Sequence, residues 1–245
     1  MTLKRVLLVD LETSSLDPAE GQILEAAGVL FDVQHAEVIE ARSLVVHAPS
    51  NAAEAINGLS TAFLRSLPTS INRLDGSVVD EQPAVELLYA MAKGADAFVA
   101  HRATFEMRWL PPGFVRLAPW ICSKFACDWP RGRYGSHLTH LAIDHGVPVT
   151  GAHRALDDCM LLVRVMQAAH EHWAAHHQTS AGRQWDVRAL PEILEAGLAR
   201  GVGDPPRCRH GLEDARQCQN YVRTYLRTPT LDRCLQHGGS SQWVS

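Results

Sequence analysis

The 245-residue sequence has no excess of positive charge: 23 lysines and arginines stand against 27 aspartates and glutamates, a formal net charge of −4. Proteins that grip a long stretch of polyanion normally show a basic footprint, so tight, extended binding of that kind is not expected. Nor is there an apolar run that would span a membrane. The N-terminus leads directly into an acid-bearing segment, without the apolar stretch and small-residue cleavage site of a signal peptide, which argues against secretion and makes the cytoplasm the default. Cysteine is scarce: Cys122, Cys127, Cys159, Cys208, Cys218 and Cys234 are too few for a disulfide framework in a chain this long. Lysine occurs only at Lys4, Lys93 and Lys124, a bias from which no function follows.

What remains is a composition of 46% hydrophobic and 20% charged residues, that of a soluble globular protein able to hold one well-packed domain with a modest extension. Near the start, the apolar run Val6-Leu7-Leu8-Val9 continues into Asp10-Leu11-Glu12-Thr13. A strand turns successive side chains to opposite faces, so Asp10 and Glu12 share one face of what reads as a buried strand. Two carboxylates crowded there repel, and one would take up a proton unless a divalent cation held by oxygen ligands neutralised both. The plainer alternative is that the strand ends at Val9 and both acids lie in a wet loop.

Two further segments carry acids. Ala97 to His101 reads as a second apolar strand, and Ala103, Phe105, Met107 and Leu110 suit a short helix after it. Glu106 then lies in a first helical turn, where a favourable interaction with the helix dipole is a sufficient role without chemistry. Gly151-Ala152-His153-Arg154-Ala155-Leu156-Asp157-Asp158 opens a long helix with apolar positions at helical spacing, including Ala155, Cys159, Leu162, Val163 and Met166. Five residues do not superpose on a helix, so His153 should project from the loop or first turn while Asp158 points inward. A dipole-favoured acid and a capping-region histidine would explain this pair equally.

Taken together, Asp10-Leu11-Glu12-Thr13, Ala100-His101-Arg102-Ala103-Thr104-Phe105-Glu106 and His153-Arg154-Ala155-Leu156-Asp157-Asp158 resemble, in order and separation, the three exonuclease motifs of the DnaQ-like DEDD superfamily, in the subgroup with a catalytic histidine. Gln22 to Val29 resembles the family's second strand, and Ala55 to Ser60 its short substrate-side segment. The similarity covers roughly residues 4 to 175. It implies an α/β fold, an RNase H-like mixed sheet flanked by helices, over residues 1–175, with 176–245 as a small, mostly helical extension of unassigned role.

The activity implied is metal-dependent 3′-to-5′ hydrolysis of phosphodiester bonds at single-stranded ends, DNA favoured over RNA, releasing nucleoside monophosphates. Two Mg²⁺ or Mn²⁺ ions about 3.5–4 Å apart serve such chemistry by holding the attacking and leaving oxygens. By resemblance, Asp10 would bridge both ions, Glu12 and Asp158 would complete the site nearer the nucleophile, and Glu106 would help hold the second ion. His153 would take the proton from the attacking water, a task suited to a group that titrates near neutrality. Thr13, Ser14, Leu16, Ile56, Leu59 and Phe105 are the substrate candidates, with core packing the competing role for Ile56, Leu59 and Phe105. The acidic balance is compatible with all this, because clustered ligands make a site acidic until its ions arrive. A DNA polymerase or repair protein would be a natural partner, which the sequence leaves unspecified.

Two residues depart from the family pattern. Glu106 stands where the family carries Asp, moving the carboxylate by about a bond length in chemistry sensitive to shifts of about 1 Å. It leaves either a working site with an altered metal preference or a silent module that binds nucleic-acid ends or a partner. Ser15 occupies a turn position where relatives often have glycine, and serine suits many turns.

His176 to Gly182 reads as a polar linker. Beyond it, Leu190 to Leu198 reads as a helix started by Pro191, and a second helix is expected from Leu212 to Arg227, with Arg216, Arg223 and Arg227 on one face. Cys208, His210, Cys218, Cys234 and His237 could supply a structural Zn²⁺, but their spacing matches no standard finger and zinc is not favoured.

Overall fold

The computed structural model describes residues 2–68, 83–131, 135–150, 153–179 and 188–202. Its centre is a five-stranded sheet in the order β3-β2-β1-β4-β5. Strands β1 (Arg5–Thr13), β2 (Ile23–Asp32) and β3 (Glu37–Val45) form an antiparallel meander, while β4 (Ala97–Ala100) and β5 (Trp120–Cys122) run parallel to β1 on its other side. Short connections permit the antiparallel pairs; each parallel strand needs a helical crossover.

Parity along the strands decides what each layer contains. Val6 and Leu8 of β1, Ala27, Val29 and Phe31 of β2, and Ala97 and Val99 of β4 face one layer, under α7 (Ala155–Thr179) and α8 (Leu190–Arg200). The alternate residues Leu7, Val9, Leu11, Ala26, Leu30, Phe98 and Ala100 face the other, under α3 (Pro83–Ala92), α4 (Ala103–Trp109) and α5 (Pro112–Val115). Because both faces are covered, β2 is buried along nearly its whole length and reads as a continuous apolar run. On the α3 side Gly28 makes the close approach, since a β-carbon there would lie 2.8 Å from the Met91 sulfur. Phe98 stacks on Phe114 at 4.9 Å between ring centres, with Trp120 edge-on to Phe98.

Three short helices were not distinguished in the sequence: α1 (Glu54–Asn57), α2 (Thr61–Ser66) and α5. Helix α6 (Leu138–Asp144) packs beside α7 through Leu141, Ala142, Leu161 and Val165. The linker expected from His176 begins too early, because α7 continues to Thr179. Histidine, glutamine and threonine are polar but helix-compatible, and no glycine or proline interrupts before Gly182. The expected boundary at 175 thus lies inside α7. Helix α8, assigned to the extension, buries Leu190, Ile193 and Leu194 in the same core as β1 and β2. It is also tied to the strands: the Leu3 N–H donates to Glu195 Oε1 at 3.1 Å, and Arg200 donates to the Ala126 carbonyl at 2.6 Å. The expected helix from Leu212 to Arg227 and the cysteines and histidines considered for zinc lie outside the described residues. Among the described residues no helix is long and apolar enough to cross a membrane.

Candidate active site

The parity that places Val6 and Leu8 under α7 continues along β1, so Asp10 and Glu12 emerge on the α7 side at the carboxyl end of the strand. Helix α7 crosses there and brings in Asp158 from its first turn. One carboxylate oxygen from each of Asp10, Glu12 and Asp158 lies within 4.8 Å of the other two. Glu106 arrives from the adjacent crossover. Helix α4 follows the parallel neighbour β4, and Glu106, 4% exposed, enters beneath the same strand end with its Oε2 buried and without a hydrogen-bond partner. It is not the surface dipole partner that a first-turn glutamate commonly is.

The electrostatics follow from this crowding. Burial, then the charges of Glu106, Asp158, Glu12 and Glu25, holds Asp10 well above the ordinary carboxylate range. Burial and the Asp158 and Glu25 carboxylates raise Glu12 to about 7, against a lowering by Arg154. Burial raises Glu106 to about 8 and also raises Asp158. Such a cluster holds protons until cations displace them. Its donors are hard oxygens, and the orphaned Glu106 oxygen lacks the partner that buried polar atoms normally have. The residues therefore fit divalent cations.

His153 lies in the loop just before α7, exposed, with a left-handed backbone of φ 66°. Its N–H donates to the Asp158 carboxylate, so the base candidate and a ligand candidate are joined through the backbone rather than stacked on the helix.

The substrate candidates separate. A bulge after Glu12 ends the regular pairing, and the hairpin closes with Ser14 N–H donating to the Gln22 carbonyl at 3.0 Å and Gln22 N–H to Ser14 Oγ at 2.9 Å. Thr13 Oγ1 donates to the Ser15 carbonyl at 2.6 Å, and Ser15 Oγ accepts the Asp17 N–H, so Ser15 builds a turn of its own where glycine is usual. Leu16 is 77% and Ile56 64% exposed, while Leu59 is packed with Leu24, Ala48 and Leu64. Phe105 is half-buried, 6.2 Å from the Trp109 ring and beneath the Arg108 guanidinium. Asp96, a neighbouring acid, is occupied elsewhere, accepting the Lys4 and Arg5 N–H groups at the opposite end of β1.

Several residues that hold the site had no assigned role in the sequence. Asn57 spans 44 residues to donate to the Thr13 carbonyl at 3.3 Å, and its Oδ1 accepts from Asn51 at 2.9 Å and from the Leu59 N–H at 3.1 Å. His101, where β4 turns into α4, bonds Ser123 Oγ through Nδ1 and the Ser136 carbonyl through Nε2. Glu25, buried on β2, receives Arg154.

Similarity to known proteins agrees with this geometry. No model of a protein family matches the chain. It is 27% identical over 198 residues to Exodeoxyribonuclease 10 of Escherichia coli strain K12, covering 76% of each chain. It is 24% identical over 243 residues to a PolC-type DNA polymerase III of Staphylococcus epidermidis, covering 89% of this chain but only 17% of the polymerase. Among solved structures, a full-length 3′-exonuclease aligns with a TM-score of 0.51 at 14% identity, over 70% of this chain and 84% of that one, a likeness of fold. The chain is thus similar in sequence and fold to exonucleases of the DnaQ-like kind. The three segments that resemble DnaQ-like motifs are the end of β1, the β4–α4 connection and the start of α7, and all three converge on one end of the sheet.

Proposed function

We propose that the chain is a divalent-cation-dependent 3′-to-5′ exonuclease acting on single-stranded ends, with DNA preferred over RNA. The observation that carries this reading is the carboxylate trio from β1 and α7, with oxygens within 4.8 Å of one another and the unpartnered Glu106 oxygen buried beside Asp10. The DNA preference draws on the similarity to Exodeoxyribonuclease 10, which spans 76% of both chains. Similarity to the polymerase covers 17% of that protein, and a polymerase or repair partner is part of the proposal on that footing alone.

Asp10, Glu12 and Asp158 would hold one cation, and Asp10 with Glu106 a second, either Mg²⁺ or Mn²⁺. When bound, the pair supplies charge neutralisation and polarisation at the scissile phosphate. The chain supplies the rest. His153 accepts the proton of the attacking water at an imidazole nitrogen, and the Asp158 carboxylate fixes the His153 backbone. The Thr13–Ser14 turn receives the terminal sugar, while exposed Leu16 and Ile56 offer apolar contact to the last bases without sequence preference.

One observation favours a second reading, a module that binds ends or a partner without cutting: Glu106 stands outside the trio whose oxygens lie within 4.8 Å. End-labelled single-stranded DNA and RNA, incubated with Mg²⁺ or Mn²⁺, separate the two. Stepwise shortening that vanishes in Asp10→Ala supports the exonuclease; retention of the label with measurable binding supports the module. Faster loss of RNA than DNA would reverse the sugar preference.

A further inference from the structure

Besides Glu106, a further carboxylate faces the trio, and its partners remove it from the metal-binding set. Glu25 stands opposite Glu12 in the β1–β2 register and is 1% exposed. Its Oε2 accepts from Arg154 Nε at 2.8 Å and from the Ala155 N–H at 3.3 Å, and its Oε1 accepts from Arg154 Nη2 at 3.2 Å. A forked guanidinium–carboxylate pair of this kind fixes direction as well as distance. What it fixes is the residue after His153 and the first residue of α7.

His153 needs such a support. Its side chain is exposed among the described residues, and its backbone is left-handed with φ 66°, a conformation that a residue bearing a β-carbon adopts only under constraint. The constraint comes from two sides. Asp158 takes the His153 N–H, and Glu25 holds Arg154 and the Ala155 N–H against β2. Remove the second, and the backbone on the α7 side of the histidine is free to relax.

We propose that Glu25 and Arg154 are a positioning pair that aims His153 at the site formed by Asp10, Glu12 and Asp158. The inference rests on the exonuclease reading and on His153 as its base. A brace that merely anchored α7 would share the same bonds; what distinguishes positioning is energetic coupling to His153.

The test uses the full chain and measures kcat and KM on end-labelled single-stranded DNA with Mn²⁺, alongside thermal unfolding. Arg154→Met keeps the apolar stem and removes the fork, and Glu25→Gln removes the charge. Each is expected to lower kcat by about tenfold or more with KM changed by less than about twofold, the pattern of an interaction realised in the transition state. Arg154→Lys restores charge without the fork and should recover only part of the loss. In a His153→Ala background, either substitution should cost less than about a further twofold, because the group being positioned is already gone. Arg154→Met leaves a buried carboxylate without its cation; should that variant not fold, Glu25→Gln/Arg154→Met removes both charges and is carried through the same cycle. Losses that multiply with His153→Ala, or that fall on KM alone, would reduce the pair to a structural brace. Unchanged turnover in His153→Ala would overturn the inference while leaving the exonuclease intact. An inactive wild type would remove the parent reading, and the pair's role with it.

Discussion

Glu12 and Glu25 face each other across the β1–β2 pair, and the fold gives them opposite fates. Glu25 is neutralised by Arg154 and the start of α7. Glu12 stands toward Asp10 and Asp158, and desolvation together with the Asp158 and Glu25 charges lifts it to about 7. Neighbouring acids on one face are thus divided into a structural carboxylate and a candidate cation ligand by a single arginine.

That division sets a pH dependence. Glu12 rises from 4.5 to about 7 and Glu106 from 4.5 to about 8, with Asp10 and Asp158 raised as well, so between those values the folded protein binds more protons than the unfolded chain. Stability from Glu12 and Glu106 is fully present below pH 4.5 and is lost as the pH rises through 7 to 8. Thermal unfolding in a chelator should accordingly show this contribution falling from pH 5 to pH 8. Saturating Mn²⁺ or Mg²⁺, which binds the deprotonated form, should raise Tm by several degrees at pH 8 and distinctly less at pH 6. In Asp10→Asn/Glu12→Gln the cation effect should disappear.

Much of this architecture is legible in the sequence. Continuous apolar runs located β1 and β4, helical spacing of apolar residues located α4 and α7, and strand alternation put Asp10 and Glu12 on one face. Asp158 and His153 were placed by their position at the start of a long apolar-striped helix. What was hidden depends on contacts between distant segments. Glu25 was visible as an acid interrupting an otherwise apolar strand, but its partner lies 129 residues away. Asn57 gave no periodic signal, and its bond to Thr13 arises only when α1 folds over the hairpin. Leu59 and Ile56 are both apolar beside Gly58, and nothing in their spacing distinguishes the buried one from the exposed one.

Glu106 tests whether this site is built for its longer acid. The carboxylate is buried and approaches Asp10 closely enough that, after burial, its charge has the largest influence on Asp10. Glu106→Asp withdraws it by about one bond length, and displacements near 1 Å cost on the order of a hundredfold. Turnover on single-stranded DNA is expected to fall about tenfold to a hundredfold, with a higher cation concentration needed for half-maximal activity. An increase in turnover would instead identify Glu106 as an impairment of the native enzyme.

Asn57 links the segment from Ala55 to Ser60 to the end of β1. Replacing it with alanine leaves the Leu59 N–H and one Asn51 donor without their acceptor and frees the Thr13 carbonyl. Loss of a buried hydrogen-bonding group costs about 1–3 kcal/mol, readable by urea unfolding. If the Thr13 turn receives the strand end, Asn57→Ala should also raise KM for single-stranded DNA more than it lowers kcat. A change in stability with unaltered KM would separate this network from substrate binding.

His101 contributes a pH dependence of opposite sign. Its removal from water lowers it from 6.5 to about 4, so the folded protein keeps the ring neutral where the unfolded chain would be protonated. Stability from this group is present above pH 6.5 and is lost as the pH falls through that value toward 4. His101→Gln cannot titrate. The variant should be less stable than the wild type at pH 7, and the difference between them should shrink as both are taken to pH 4.5.

Ile56 and Leu59 separate binding from packing within one short segment. Leu59 is 2% exposed in a cluster with Leu24, Ala48 and Leu64, so Leu59→Ala leaves a cavity and should cost about 2–5 kcal/mol of stability. Ile56 is 64% exposed, and trimming such a surface side chain normally alters stability by less than about 0.5 kcal/mol. If Ile56 contacts the terminal bases, Ile56→Ala should raise KM for single-stranded DNA several-fold at unchanged Tm, with Leu16→Ala behaving alike. Equal KM values for Ile56→Ala and the wild type would take the exposed side of α1 out of the substrate path and leave the Thr13–Ser14 turn as the surface that meets the strand.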